Sequence, residues 1–231
     1  MRYDTVFLDV DGTLLWVELD VEGYVRDLAP YASNGGLTVE RATGPMRESM
    51  RRHIEENIKH RTEESLFSFK RRNAEITAEA LGVEAPAEVL TEVADRRISF
   101  NPYPESERVM EDLRTMGAKL YVVSNWDILL EGILEDLGWT RYFDGVVVSA
   151  VIGSEKPDGA IFDEALRLSG NTESADRVVH VGNDPMTDVF GASERGIDTV
   201  FVDRKGNGGA PGATYVLPDL TALPDLVRGQ L

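Results

Sequence analysis

Short apolar runs alternate with amphipathic segments along most of the chain. The apolar runs are rich in valine and nearly continuous, which is the pattern of strands buried on both faces of a parallel sheet. They occupy residues 5–9, 118–124, 146–148, 178–181 and 199–202. Segments with helical spacing lie between them, at residues 106–116, 129–137, 160–168 and 188–195. Strands that alternate with helices over short links predict an open, doubly wound α/β fold with a parallel sheet.

One segment interrupts this alternation. Between residues 16 and 98 the chain has helical periodicity and no run that predicts a strand. Apolar residues recur there at every fourth position, which predicts one buried helix face formed by Met46, Met50, Ile54 and Ile58. We therefore predict a core domain formed by residues 1–15 and 99–231, with an α-helical insertion at residues 16–98.

Composition and charge restrict the classes of partner. The chain has 41 acidic and 24 basic residues, and its formal net charge of −17 argues against nucleic acid and anionic membranes as partners. It has no cysteine, which excludes disulfides, thiolate catalysis and metal sites built on cysteine. No run approaches the roughly 20 apolar residues of a membrane span, and the first residues are too charged for an export signal. We expect a cytoplasmic protein, and the oligomeric state stays open.

Polar residues follow several of the predicted strands. In an open α/β sheet, ligands bind beyond the carboxyl ends of the strands. Carboxylates gathered at one edge repel each other unless a hard cation neutralises them, and oxygen ligands suit Mg²⁺. One carboxylate of a closely spaced pair can be a nucleophile while the other transfers protons, and a lysine and a serine can bind a phosphoryl group. The residues at these ends are Asp9, Asp11, Ser124, Asn125, Lys156, Asn183, Asp184 and Asp188.

Taken one at a time, these residues have simpler interpretations. Lys156 alone would be an ordinary surface lysine, and Asp184 with Asp188 could cap the helix that follows. His180 lies in a predicted buried strand, which is more typical of a core histidine than of a catalytic base. A functional site is therefore predicted by the convergence of all the polar residues at one edge of the sheet.

Four groups of residues, in this order, resemble the four sequence motifs of the haloacid dehalogenase superfamily. They are residues 9–13 (DVDGT), Ser124, residues 156–158 (KPD) and residues 182–188 (GNDPMTD). The helical insertion is similar to the C1 cap of that superfamily, and residues 123–127 and 154–158 resemble the subfamily of 2-haloacid dehalogenases and phosphoglycolate phosphatases. The resemblance implies a Rossmann-like core with a cap that closes over the site.

The resemblance also implies a two-step phosphoryl transfer with assigned residues. Asp9 would be the nucleophile that forms an aspartyl-phosphate, and Asp11 would protonate the leaving alcohol and then activate water. Mg²⁺ would be bound by the Asp9 side chain, the Asp11 backbone carbonyl and Asp184, with Asp188 as a supporting acid. The phosphate-binding set would be Gly12, Thr13, Ser124, Asn125 and Lys156. The expected substrate is a small phosphorylated metabolite, a phosphate monoester.

Three alternatives are compatible with the same fold: a 2-haloacid dehalogenase, a phosphomutase and a non-catalytic binding protein. A 2-haloacid dehalogenase needs neither Mg²⁺ nor the second aspartate of the first motif, so Asp11 favours a phosphatase. A phosphomutase would use the same residues, and a non-catalytic binding protein would be free to lose the buried charges.

In the fourth motif, Asn183 stands where a common form has an acid, and aligning Asp184 with Asp188 restores the pair. Whether Asn183 contacts the metal site stays open.

Overall fold

The computed structural model describes residues 1–33 and 36–231. It divides into two compact units, one formed by Met1–Trp16 with Pro102–Leu231 and the other by Val17–Asn101. In chain order the strands are β1 (Thr5–Leu8), β2 (Leu15–Leu19), β3 (Ile98–Pro102), β4 (Lys119–Ser124), β5 (Gly145–Val148), β6 (Val178–Gly182), β7 (Asp198–Val202) and β8 (Tyr215–Leu217). The helices are α1 (Val21–Leu28), α2 (Val39–Glu56), α3 (Glu63–Leu81), α4 (Ala87–Arg96), α5 (Ser106–Thr115), α6 (Leu130–Asp136), α7 (Ser149–Ile152), α8 (Gly159–Ser169), α9 (Gly191–Ser193) and α10 (Leu223–Arg228).

The first unit is built on a six-stranded sheet with the order β5-β4-β1-β6-β7-β8. Every neighbouring pair in it is parallel. Residues of β1 are fully buried because both faces of the sheet are covered, which explains the continuous apolar pattern of the central strands. The predicted parallel α/β sheet is confirmed. Its sixth strand, β8, has only three residues and was not predicted.

The register of the central strands brings their carboxyl ends together. Leu8, the last residue of β1, pairs with Val122 of β4 and with Val181 of β6. The residues that follow these three strands therefore share one edge of the sheet. The chain leaves β6 through a π-helical turn, Pro185–Phe190, where the sequence predicted the start of an α-helix at residue 188.

The second unit contains α1 to α4, which pack around a hydrophobic core of their own. Its buried members include Tyr24, Leu28, Met46, Ala78 and Leu90. In this way the residues of an amphipathic helix bury one stripe against their neighbours.

The predicted helix face on α2 is wrong in part. Met46 is buried, whereas Ile54 is 59% exposed. A helix has about 3.6 residues per turn, so positions four apart drift around the axis by about 40° at each step. In addition, α2 ends at Glu56, and Ile58 lies in a 3₁₀ turn, Asn57–Lys59.

The prediction that residues 16–98 contain no strand is also wrong. β2 and β3 form a two-stranded sheet, and β2 lies mostly within the segment predicted to be helical. Buried and more exposed positions alternate along its five residues. A short, half-exposed strand of this kind lacks the continuous apolar run by which the sheet strands were found. In the described part of the chain, no helix is long and apolar enough to cross a membrane.

Candidate active site

The chain turns sharply after β1, and this turn carries the first group of predicted site residues. The amide of Asp9 continues the sheet by donating to the carbonyl of Val181 at 2.9 Å. The amide of Gly12 then donates to the carbonyl of Leu15 at 2.7 Å, which closes the turn. Gly12 has a φ of +78°, and a Cβ at this position would overlap the Asn183 side chain, so the turn requires glycine twice over.

The carboxylate of Asp9 is buried and is held by three side chains. Its Oδ1 accepts hydrogen bonds from Lys156 Nζ at 2.7 Å and from Ser124 Oγ at 3.1 Å. Its Oδ2 accepts from Thr13 Oγ1 at 3.2 Å. Residues from three places in the sequence thus meet at the predicted edge of the sheet, and they are four of the predicted site residues.

Lys156 connects Asp9 to a second buried acid. Its Nζ also donates to Asp188 Oδ1 at 2.6 Å, and both side chains are 2% exposed. The backbone of Lys156 is fixed by the Asn125 amide, whose Nδ2 donates to the lysine carbonyl at 2.9 Å and whose Oδ1 accepts from the lysine N–H at 2.7 Å. Asn125 was expected among the phosphate ligands; its side-chain amide bonds to the main chain of Lys156 and holds this loop in place.

His180 belongs to this cluster, although its place in an apolar strand predicted an ordinary core histidine. Its Nε2 lies 2.9 Å from Asp188 Oδ1, and the residue is fully buried. The signal that could have found it is the alternation along β6, because residues 180 and 182 point to the same face of the sheet. A Cβ at Gly182 would overlap Asp188, so this face is the one that faces the acid.

The protonation states follow from burial and from the shared lysine. Burial alone would lower the pKa of Lys156, but Asp188 and Asp9 together raise it. Although burial works against ionisation of Asp188, Lys156 and His180 hold the pKa of that carboxyl below its usual range. Burial lowers the pKa of His180, so the ring is neutral and its Nε2–H donates to the ionised Asp188.

Of the two buried carboxyl groups, Asp9 holds its proton more readily than Asp188. Burial raises the pKa of Asp9, the charge of Asp188 raises it further, and Lys156 acts in the opposite direction. A single ammonium group is shared between two carboxylates here. Any additional positive charge near Asp9 would therefore favour its ionised, nucleophilic form.

Asp184 and Asn183, neighbours in the fourth motif, make different contacts at this edge of the sheet. Asp184 is exposed, and its Oδ1 accepts from the amides of Met186 at 2.8 Å and Thr187 at 2.7 Å, which caps the π-helical turn. Its neighbour Asn183 lies beside the turn that follows β1, with its Oδ1 3.4 Å from Thr13 Oγ1. The capping role considered for Asp184 is present, and Asn183 contacts a residue that itself contacts Asp9.

The donor chemistry of this edge is compatible with Mg²⁺. Within residues 1–33 and 36–231, no group of three acidic or histidine side chains is arranged to hold a metal ion. Mg²⁺, however, is commonly bound by only one or two carboxylates, with water and phosphate oxygens in its other positions. The Asp9 carboxylate, the Asp11 carbonyl and the Asp184 carboxylate supply hard oxygen donors and fit that pattern.

Asp11 lies in the turn as an exposed residue two positions after the nucleophile candidate. Its carboxylate is close enough to act on the phenol of Tyr103. Burial raises the pKa of Tyr103, and the charges of Asp11 and Glu105 raise it further. A buried carboxylate and an exposed one, two residues apart in the sequence, are compatible with two different roles in one reaction.

The comparisons with known proteins show the family to which this chain belongs. The family model of haloacid dehalogenase-like hydrolases matches residues 3–196. Glyceraldehyde 3-phosphate phosphatase from Methanothermobacter thermautotrophicus is 29% identical over 208 residues, which cover 86% of this chain and 84% of that protein. Several other curated relatives are matched over less than half of their own length.

Solved structures show the same fold. The HAD hydrolase YfnB from Bacillus subtilis, described as bound to magnesium, matches with a TM-score of 0.67 and 18% identity over 99% of this chain and 100% of that one. L-2-haloacid dehalogenase from Xanthobacter autotrophicus matches with a TM-score of 0.68 and 22% identity over the same shares. The family match spans most of the sequence and includes all four motifs, and the chain therefore belongs to the haloacid dehalogenase-like hydrolase family.

Proposed function

We propose that this protein is a Mg²⁺-dependent phosphatase that hydrolyses a small phosphate monoester through an aspartyl-phosphate on Asp9. The observation that carries the proposal is the buried Asp9 carboxylate, held by Lys156 and Ser124, with the exposed Asp11 two residues away. A relative that is a glyceraldehyde 3-phosphate phosphatase supports the same reaction class.

In the first step, a carboxylate oxygen of Asp9 forms a bond to phosphorus while the bond from phosphorus to the ester oxygen breaks. The leaving oxygen takes a proton from the Asp11 carboxyl group and departs as an alcohol. Lys156 and Ser124 bind the phosphoryl oxygens on which negative charge accumulates. Gly12 and Thr13, which lie in the turn after Asp9, are further members of the proposed phosphate-binding set.

In the second step, water attacks the phosphorus of the intermediate and the bond between phosphorus and Asp9 breaks. The Asp11 carboxylate takes a proton from the water, so that the enzyme returns to its starting state with inorganic phosphate as product. Asp188 and His180 do not touch the reacting atoms in this scheme. Asp188 binds the ammonium group of Lys156, His180 donates to Asp188, and Asn125 holds the backbone of the lysine.

Mg²⁺ would be held by the Asp9 side chain, the Asp11 carbonyl and Asp184, with Asp188 as a supporting acid. When bound, it would neutralise Asp9 and the phosphate so that these two anions can approach each other. The charge balance of the site supports this role, because Lys156 already shares its single charge between two carboxylates.

The helical unit, Val17–Asn101, is proposed to be the cap that selects the substrate. A cap of this kind favours small substrates over phosphorylated proteins, because it must close on the ligand to exclude water. The substrate is thus a small phosphorylated metabolite, a class of compound found in the cytoplasm, and we place the activity there.

The test is phosphate release from a panel of small phosphate esters, with Mg²⁺ and with EDTA. Asp9→Asn should lower turnover by about 10³-fold or more, since the nucleophile is lost. Asp112→Asn, a change at a half-exposed surface aspartate, is the control and should leave turnover unchanged. Turnover of chloroacetate without Mg²⁺ would instead support a dehalogenase, and wild-type activity in Asp9→Asn would contradict the proposal.

A further inference from the structure

Arg204, two residues after β7, reaches across to the turn that carries the predicted acid. Its Nη2 donates to the carbonyl of Thr13 at 2.8 Å and its Nε donates to the carbonyl of Gly12 at 3.3 Å. Its Nη1 pairs with Glu105 Oε1 at 2.8 Å, and its guanidinium carbon lies 3.4 Å from the ring centroid of Tyr103. The group is therefore held on three sides and is only 17% exposed.

These contacts fix the main chain on which the acid and one hydroxyl of the site depend. Asp11 directly precedes Gly12, and Thr13 presents its Oγ1 to Asp9 at 3.2 Å. Gly12 lies within the turn in the left-handed region, and glycine is the residue whose backbone has the widest range of allowed conformations. A guanidinium with two N–H groups on successive carbonyls restrains that freedom, and hydrogen bonds from a charged donor are stronger than neutral ones.

The cluster around Arg204 also lies within electrostatic reach of Asp11. The charges of Asp11, Glu105 and Arg204 all act on the phenol of Tyr103, the ring on which the guanidinium stacks. The carboxylate of Asp11 thus belongs to the same neighbourhood as the group that holds its turn.

We propose that Arg204 is a positioning residue, which fixes the turn so that the Asp11 carboxyl group meets the leaving oxygen of the substrate. This proposal rests on the proposed phosphatase function. Arg204 touches no reacting atom in this account and acts only through the carbonyls of Gly12 and Thr13. Its loss should therefore affect the transfer of the proton more than the binding of the phosphate.

The experiment compares phenyl phosphate with p-nitrophenyl phosphate, two esters of similar shape. Phenolate is the stronger base and needs the acid, whereas p-nitrophenolate leaves with little help. Arg204→Lys keeps the positive charge but not the two-pronged geometry. It should lower kcat/KM for phenyl phosphate by about 10- to 100-fold and for p-nitrophenyl phosphate by less than about 3-fold, with KM nearly unchanged.

Arg97→Lys is the matched control. Arg97 is 18% exposed and is paired with two acids, Asp20 and Asp27, as tightly as Arg204 is held, but it lies in the helical unit. Arg97→Lys should leave unchanged the ratio of kcat/KM for the two esters, even if both arginine variants unfold at a lower temperature than the wild type. Asp11→Asn removes the acid itself and is the reference variant. It should show the largest loss of kcat/KM for phenyl phosphate relative to p-nitrophenyl phosphate.

The outcomes separate this proposal from the proposed function. An equal loss on both esters in Arg204→Lys, with an ester-dependent loss in Asp11→Asn, would overturn the role of Arg204 and leave the phosphatase standing. Absence of turnover by the wild-type protein would overturn both. If Arg204→Lys does not fold, Glu105→Gln removes one of the three supports and should change the ester ratio in the same direction by about 3-fold. An unchanged ratio in that variant would overturn the proposal.

Discussion

Lys156 is the residue on which the buried charges of the site depend. Its Nζ lies 2.7 Å from Asp9 Oδ1 and 2.6 Å from Asp188 Oδ1, and water has almost no access to any of the three groups. Charges removed from water are stable only when they are paired closely and hydrogen-bonded. Removal of the lysine would leave two buried carboxylates facing each other.

Lys156→Met is therefore expected to lower the free energy of unfolding by about 3–5 kcal/mol and to abolish turnover. Urea unfolding of the purified variant measures the first effect. The control is Lys70→Met, which removes an ion pair with Asp95 at 2.8 Å in which the carboxylate is 43% exposed. That change should cost less than about 1 kcal/mol. Equal losses in the two variants would contradict the account.

A second prediction concerns His180, whose Nε2–H donates to Asp188. His180→Phe keeps an aromatic ring in this buried position but removes the donor. We expect a loss of about 1–3 kcal/mol in the free energy of unfolding, since the buried carboxylate loses a hydrogen bond. His180→Gln, which can still donate, should lose less. A phenylalanine variant as stable as the wild type would show that the hydrogen bond contributes nothing.

The sequence predicts three residues of the candidate site, because each lies at or beyond the carboxyl end of a recognisable buried strand. Asp9, Ser124 and Lys156 were predicted together and lie together. His180 and Arg204 were not predicted, since their roles depend on which side chains face them in space. A histidine in an apolar strand and an arginine in a loop have no distinctive pattern in a single sequence.

Among the elements, β6 determines where Asp188 lies, because the strand ends in a glycine that faces this carboxylate. Gly182 ends this strand, and its missing side chain leaves the space that the Asp188 carboxylate occupies. The carboxylate also accepts the amide of Asp184 at 3.0 Å, which ties the strand end to the π-helical turn. The strand and the turn therefore hold the acid as one unit.

Gly182→Ala is expected to displace Asp188 and to lower the free energy of unfolding by about 1–3 kcal/mol, because the added methyl group overlaps a buried carboxylate. Turnover should fall in parallel. Gly132→Ala, within α6, is the control: no atom lies within 4 Å of the added Cβ, and we expect a gain of about 0.5–1 kcal/mol. Thermal unfolding of both variants measures the difference, and equal stability would contradict the prediction.

Elements that are buried on both faces are predictable from sequence, and those that are half-exposed are not. β1, β4 and β6 lie where continuous apolar runs predicted them. β2, β3 and β8 were missed, since a short, partly exposed strand resembles a loop or part of a helix. These strands are stabilised by their neighbours rather than by their own composition.

At the scale of the whole molecule, the chain combines a sheet that carries the site with a helical unit that has its own core. The chain has a net charge of −17, and the proposed reaction brings together two anions, the Asp9 carboxylate and the phosphate ester. Local positive charge at the site must therefore come from few groups, and Lys156 is the cation that contacts Asp9 in the part of the chain that the structure describes. This shortage of positive charge is the physical reason for expecting a divalent cation.

Mg²⁺ should accordingly stabilise the folded protein, because a ligand that binds only the folded state shifts unfolding by mass action. At a concentration of about 100 times its dissociation constant, the gain would be about 2.7 kcal/mol. Asp9→Asn should reduce this gain in the free energy of unfolding. An equal gain in both proteins would place the ion away from Asp9.

Trapping of the covalent intermediate shows whether Asp9 is the nucleophile. Borohydride added during turnover reduces an aspartyl-phosphate to homoserine, which mass spectrometry of the proteolysed chain locates. The account predicts homoserine at position 9, only when substrate and Mg²⁺ are both present, and none in Asp9→Asn. Continued phosphate release without modification of Asp9, or modification at another carboxylate, would contradict it.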